Sequence, residues 1–372
     1  MAGGRQFPLG RLRGRAAGAR LAIAATAAGA IAGTAGMGCT RDPYDDLVWY
    51  YRPQEGSIIV PREQYGPRQL AMFHGSDGAP LDWNALWNGM RWADIVIVGE
   101  QHDDANAHRV QLAIWEEAVA AWPGSVVSLE MLERNEQEIV DEYLSGTIDQ
   151  ATFVERTGSR DWAAKDTWDD FYQPVIDTAR RAHAPVIAAN APREYVKRAR
   201  TEGYEALAAL PEEERALFAL PAGDAPETYR DRFRDFMSGG GEREVDEERM
   251  EEVLRSQRLW DSTMADSIVR AWKQMPRGAK LVHLVGQFHS EYDGGLVSEI
   301  RARAPWARIL TVTVQKGTAY ALRAEDAGKA DVVVYGTAPS PVWRNFNAGP
   351  IVPESPAAPV REEEMPTWGF AY

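Results

Sequence analysis

Two segments of the chain place a histidine three residues after a glycine: Gly99-Glu100-Gln101-His102 and Gly286-Gln287-Phe288-His289. Each follows a continuous apolar run, Ile95-Val96-Ile97-Val98 and Leu281-Val282-His283-Leu284-Val285. Such runs, stopped by glycine, predict buried strands of a parallel sheet. Ligands of open α/β sheets bind beyond the carboxyl ends of the strands, so both histidines are expected in one crevice. Two further predicted strands end in Glu130 and Asn190, the latter followed by Ala191-Pro192-Arg193. Glu100, His102, Glu130 and His289 therefore form a candidate catalytic set. Two histidines and two carboxylates also suit a divalent transition metal, with an open position for water. A carboxylate outside such a metal shell could serve as general base. Asn190, Arg193 and His108, six residues after His102, are candidate ligand-binding residues. His283 alternates into a strand interior and reads as a core histidine; His74 and His183 carry no motif.

The elements that must position these residues read as an α/β fold. A parallel or mixed central sheet is flanked by helices and carries a helical insertion or cap. Further strands are predicted at 126–130, 186–189, 309–314 and 332–335, and helices at 107–121, 136–144 and 172–182. Residues 193–272 are charged, helical in pattern and free of histidine, interrupted by Gly239-Gly240-Gly241; they form the insertion. The α/β domain spans 91–337, preceded by a tether and N-terminal segment over 39–90. A proline-rich tail follows from 338 to 372.

The chain has 372 residues and a net charge of −14. An acidic balance argues against a nucleic-acid partner, which would select clustered Lys and Arg. One cysteine excludes an intrachain disulfide framework and a Cys-rich zinc site. Residues 1–38 carry five arginines and no acid, then a short small-residue apolar run, the pattern of a secretory signal peptide. Cys39 stands at its end, where a bacterial lipoprotein is cut and acylated. The expectation is an exported, cell-envelope lipoprotein, joined to the membrane by a lipid anchor on Cys39. Cleavage there would remove the five arginines and take the charge to −19, a body that anionic surfaces repel. The thirteen tryptophans read as core and aromatic packing before a cofactor box.

These residues resemble the ChaN-like haem-binding uptake family, bacterial lipoproteins linked to iron acquisition. The segments carrying the likeness are Val98-Gly99-Glu100-Gln101-His102-Asp103, Leu129-Glu130-Met131, Ala189-Asn190-Ala191-Pro192-Arg193 and Val285-Gly286-Gln287-Phe288-His289. Trp168 through Pro174, with Tyr172, and Leu259-Trp260-Asp261-Ser262-Thr263-Met264-Ala265 extend it, so that it covers about residues 90–315. The family is similar to the Tiki metalloproteases, the TraB proteins and the erythromycin esterases. The resemblance implies an α/β core with a helical insertion and a site lined by Glu100, His102, Glu130 and His289. Tyr172 joins the ligand-binding candidates. It also implies haem, bound through a tyrosine at a homodimer surface; no motif places that tyrosine. The competing cofactor is a divalent metal serving a peptidase or esterase type of hydrolysis. A dianionic haem would avoid a crevice rich in carboxylates, which leaves haem to another surface.

Overall fold

The computed structural model describes residues 66–339. The signal segment, Cys39 and the tail beyond Pro339 lie outside the described residues. The elements run β1 (Leu70–His74), β2 (Pro80–Leu81), α1 (Trp83–Trp92), β3 (Ile95–Glu100), α2 (Ala105–Ala121) and β4 (Val126–Glu133). Next come α3 (Gln137–Ser145), α4 (Gln150–Thr157), α5 (Trp168–Phe171), α6 (Gln173–Ala182) and β5 (Val186–Asn190). The insertion follows as α7 (Arg193–Ala208), α8 (Glu212–Arg215), α9 (Glu227–Ser238) and α10 (Glu247–Gln274). The chain closes with β6 (Leu281–Gly286), α11 (Gln287–Ser290), α12 (Gly295–Arg303), β7 (Ile309–Gln315) and β8 (Val332–Pro339).

The strands form one mixed sheet in the order β2-β1-β8-β7-β3-β6-β4-β5. β3 through β8 pair in parallel, while β1 runs antiparallel to both β2 and β8. The α/β class read from the sequence is the observed one. β3 lies between β6 and β7, with every residue buried, which is why its sequence is a continuous apolar run instead of an alternating one. Its two faces are nevertheless distinct. Val96 and Val98 pack with Ile114 and Trp115 of α2, while Ile95 and Ile97 pack with Ile268 of α10 and Ile300 of α12. Helices thus cover both faces, and α10 ties the insertion to the sheet.

Leu70–His74, inside the stretch read as tether and N-terminal segment, is a strand whose first four residues are buried against β8. It is short and enters from the chain's own start, so no flanking helix pattern announced it. Gly239 caps α9 in the left-handed region, at φ 64°, so the triple glycine is the turn between α9 and α10. His283 is buried in β6, its Nδ1 3.0 Å from Ser128 Oγ, and burial pushes its pKa down to about 3. It is a neutral core histidine.

Candidate functional site

The carboxyl ends of β3, β6 and β4 lie side by side, since β6 pairs with both of the others. The two glycines let these ends close up. A Cβ on Gly286 would stand 2.8 Å from His102 Cε1, and one on Gly99 would stand 3.1 Å from Gln287 Cα. Each glycine therefore makes room for the other motif. The spacing seen twice in the sequence is one interlocked contact. β4 contributes through an irregularity: its register with β5 shifts between Leu129 and Glu133. A bulge of this kind re-aims side chains at a strand end. Asn190 fixes it, donating from Nδ2 to the Glu130 carbonyl at 2.9 Å.

Around Glu100 the site is a tight ion-pair group. Glu100 is buried, and its Oε1 accepts from Tyr172 Oη at 2.6 Å and from His102 Nδ1 at 2.8 Å. His108 Nδ1 lies 3.1 Å from Glu100 Oε2, and His108 Nε2 donates to the His102 carbonyl at 3.0 Å. Both ring nitrogens of His108 thus face acceptors, the arrangement of an imidazolium. Burial opposes that charge, but the Glu100 carboxylate outweighs it and raises the His108 pKa. Burial likewise opposes ionisation of Glu100, and His108 and His102 win, holding it far below the ordinary range. Burial and Glu100 push the Tyr172 phenol well above its usual value, so it stays a donor. His102 donates from Nδ1, because a carboxylate only accepts. Nε2 is the nitrogen that faces Gly286. The ring meets Trp162 edge-on at 4.7 Å, and the His102 side chain keeps 20% of its exposure.

The second group is centred on His289. Its Nδ1 lies 2.6 Å from Asp261 Oδ1, and its Nε2 lies 3.5 Å from Glu130 Oε1. Asp261 Oδ2 accepts from Tyr229 Oη at 2.6 Å. Glu130 Oε2 accepts the Gly286 N–H at 2.6 Å. Burial would lower the His289 pKa, but Glu130 and Asp261 on opposite edges of the ring raise it to about 10. Burial is overcome at Glu130 also, where His289 lowers the pKa. The two groups meet at Gly286, where the His102 ring and Glu130 Oε2 converge on one point.

All four residues expected in the catalytic set are therefore brought to one place, and Tyr172 and His108 with them. Arg193 is not: half-exposed, it sits 3.4 Å from Glu133 and serves the rim. Asn190 acts on the backbone of Glu130. The residues of the expected metal set, His102, His289, Glu100 and Glu130, lie together at the strand ends. Carboxylate oxygens pair with ring nitrogens, and among the described residues no group of three or more His, Cys, Asp or Glu is arranged to hold a metal ion. Sequence reading missed the roles of Asp261 and Tyr229. Both come from the insertion, where a run of charges hides one buried aspartate; the signals for Asp261 were its place in the segment Leu259–Ala265 that carries the family resemblance and among Leu259, Ser262, Met264 and Ala265 on a buried helix face.

Residues 86–300, more than half of the chain, match the family described as haem-binding uptake, Tiki superfamily, ChaN. Among solved structures, the chain is similar to ChaN of Campylobacter jejuni, described by its cofacial haem binding, at 17% identity and TM-score 0.55. That likeness covers 72% of this chain and 96% of the other, and it shows a shared fold. A mutant of the erythromycin esterase EreC in its open conformation is similar at 12% identity and TM-score 0.37, over 71% of this chain and 82% of the other. The type III effector HopBA1 is similar at 13% identity and TM-score 0.39, over 76% and 99%. No curated protein matches the chain in sequence.

Proposed function

The chain belongs to the ChaN haem-binding uptake family of the Tiki superfamily, and from that premise we propose that it captures haem at the cell envelope, anchored through an acylated Cys39. The family match across residues 86–300, which takes in both histidine motifs, carries this reading. The strand-end site itself is not where a porphyrin would lie. The side chains of Glu100, Glu130, His108 and His289 are nearly inaccessible, and their carboxylates would repel propionates. A haem fits the surface instead. Ferric iron takes phenolate oxygen as a ligand. Tyr320, 66% exposed, stands in the loop after β7, with Arg323 close in sequence to receive a propionate, while Lys316 pairs with Asp103. Arg323 donates to the carbonyls of Lys316 and Thr318, which folds this loop around its cations. The C. jejuni protein binds haem cofacially. A homodimer stacking two haems face to face is the corresponding proposal here. Haemin titration of the purified protein is expected to give a saturable Soret change at micromolar protein, shifted in Tyr320→Phe. Light scattering with and without haemin reads the dimer. A titration with no saturable change overturns the reading.

A second reading is favoured by the paired groups at Gly286: a hydrolase using acid–base chemistry. His102, oriented by Glu100, would take a proton from water at Nε2, and the His289 imidazolium would supply one to the leaving group. Hydrolysis of an ester and peptide panel, lost in His102→Ala and in His289→Ala, is the expected result. Activity that survives both substitutions refutes it.

A further inference from the structure

The opposite end of the sheet has a different character. The loops leading into β3, β4, β5, β6 and β7, with the last turns of the helices that feed them, carry Lys or Arg at nine positions. They carry one acid, Asp94, which is paired with Arg308 at 2.7 Å. Lys280 is buried on the carbonyls of Arg91 and Ala93, and Arg301 and Arg303 pair with Asp293 and Glu299, so this pole of a chain of charge −14 has Arg181, Lys273 and Arg277 as its exposed cations outside such pairs. Cations at helix C-termini complement the helix dipole, and that accounts for part of it. It does not account for Arg277, which is exposed in a loop, or for the tryptophans gathered here.

Trp122 belongs to the core, Trp87 and Trp92 pack half-buried against it, and Trp306 is exposed. Trp87 stacks on Trp122 at 4.5 Å. The Lys280 ammonium lies 5.2 Å from the Trp122 ring, and the Arg308 guanidinium 5.6 Å from Trp92. Lys273 lies 6.0 Å from Trp306, which is 66% exposed. A Cβ on Gly124 would touch Pro276 at 2.8 Å, so the loops before β4 and β6 abut. Around Trp306 and Arg277 the loop tips are Pro123, Gly124, Pro276, Gly278 and Pro305, all exposed. The exposed Trp306 ring, with an apolar body and a polar N–H beside the exposed Lys273, suits the headgroup layer of a bilayer, while the buried Trp122 stiffens the loops behind it. Basic residues near an anionic leaflet add attraction that falls off within a Debye length.

We propose that this amino-end pole, with Trp306 and the exposed cations Lys273 and Arg277 at its tip, docks on an anionic lipid bilayer. The carboxyl ends of the strands, and the site between them, then face away from the membrane. The overall acidity of the chain makes the body repelled by anionic surfaces on average, and the pole reverses this locally. The inference stands on this geometry alone and does not depend on haem binding.

The test uses residues 39–372 with Cys39→Ser, so that neither the basic segment 1–38 nor an acyl chain contributes. Its partition onto vesicles of phosphatidylcholine with 30% phosphatidylglycerol, and onto pure phosphatidylcholine, is measured by sedimentation at low and high salt. At low salt the anionic vesicles are expected to bind at least about tenfold more tightly, and high salt should erase the difference. Lys273→Glu with Arg277→Glu should weaken binding by about tenfold or more, and Trp306→Ser by about threefold. Arg193→Glu, at the other end of the sheet, should change it less than about twofold. Four outcomes overturn the proposal: no partition onto anionic vesicles, equal partition after the double charge reversal, loss in Arg193→Glu of the same size, or a Trp306→Ser effect on self-association alone.

Discussion

His102 and His289 each follow a glycine by three residues at the carboxyl end of a buried parallel strand, and their protons are governed differently. His102 answers to one carboxylate, Glu100, whose other oxygen is already engaged by a second imidazole. His289 sits between two carboxylates, Glu130 and Asp261, and is buried. The first is a ring oriented by Glu100, with its Nε2 turned toward the meeting point; the second is a locked cation. The repeated motif thus sets its two histidines among different partners, because those partners come from different places. Glu100 lies two residues from its histidine, whereas Asp261 arrives from the insertion.

Removing Asp261 is the strongest way to break this contrast. Asp261→Ala leaves the His289 imidazolium with one flanking carboxylate and strands the Tyr229 hydroxyl. Breaking a buried ion pair from one side costs about 3–5 kcal/mol, and urea unfolding should show a loss of that order. His102→Ala removes a partly exposed ring, so the same measurement should give a clearly smaller loss. Equal losses would mean that the two histidines are not differently held.

The pH dependence sharpens the same point. An unfolded histidine titrates near 6.5. Because His289 is raised to about 10 when folded, its contribution is fully present below about pH 6.5 and disappears as pH rises through about 10. At roughly 1.4 kcal/mol per unit, the amount at stake is a few kcal/mol. The stability difference between the protein and His289→Gln should therefore be greatest near pH 6 and shrink steadily above pH 7. In histidine-labelled nitrogen NMR, both His289 ring nitrogens should remain protonated at pH 8. A difference that does not vary between pH 6 and 10 would contradict the assigned charge.

Much of this arrangement was legible beforehand, and the limits are physical. The runs ending at Glu100 and Gly286 had to be buried parallel strands, because only a strand covered on both faces is apolar throughout. Glycine at the strand ends indicated close approach, which brought Glu100, His102 and His289 together on paper. Glu130 followed from its strand, but the bulge that turns it did not, since pairing register depends on a partner strand sixty residues away. Asp261 and Tyr229 lie in a segment where charges alternate with apolar residues, so a buried acid there looks like any solvated one. Arg193 misled in the opposite direction. Following a strand end by three residues, it had the position of a ligand-orienting group, and the bulge of β4 instead presents Glu133 to it.

The two phenols allow a finer comparison. Tyr172 donates to Glu100 and Tyr229 donates to Asp261, each at 2.6 Å and each buried. A hydrogen bond to a charged acceptor contributes about 1.5–3 kcal/mol. Tyr172→Phe and Tyr229→Phe should thus cost similar amounts in the urea measurement. Their effects on the histidines should differ, because Glu100 also has His108 to balance it, whereas Asp261 bonds His289 and Tyr229. Tyr229→Phe should raise the His289 pKa further, visible as titration at higher pH, while Tyr172→Phe should leave His289 unmoved.

Arg193→Ala gives the smallest effect and isolates the rim from the site. Its guanidinium is half-exposed, and its ion pair with Glu133 at 3.4 Å is solvent-screened. Pairs of this kind contribute about 0–1 kcal/mol, and raising the salt to 0.5 M should erase even that. Glu133 is the last residue of β4, so its carboxyl lies beyond the bulge that aims Glu130, and Asn190 holds that bulge without help from Arg193. The His289 titration should therefore be identical in Arg193→Ala and in the unaltered protein. Asn190→Ala, which frees the Glu130 carbonyl, should shift it. A shift of His289 in Arg193→Ala would show that the rim reaches the locked cation after all, and would move Arg193 into the same group as Asn190.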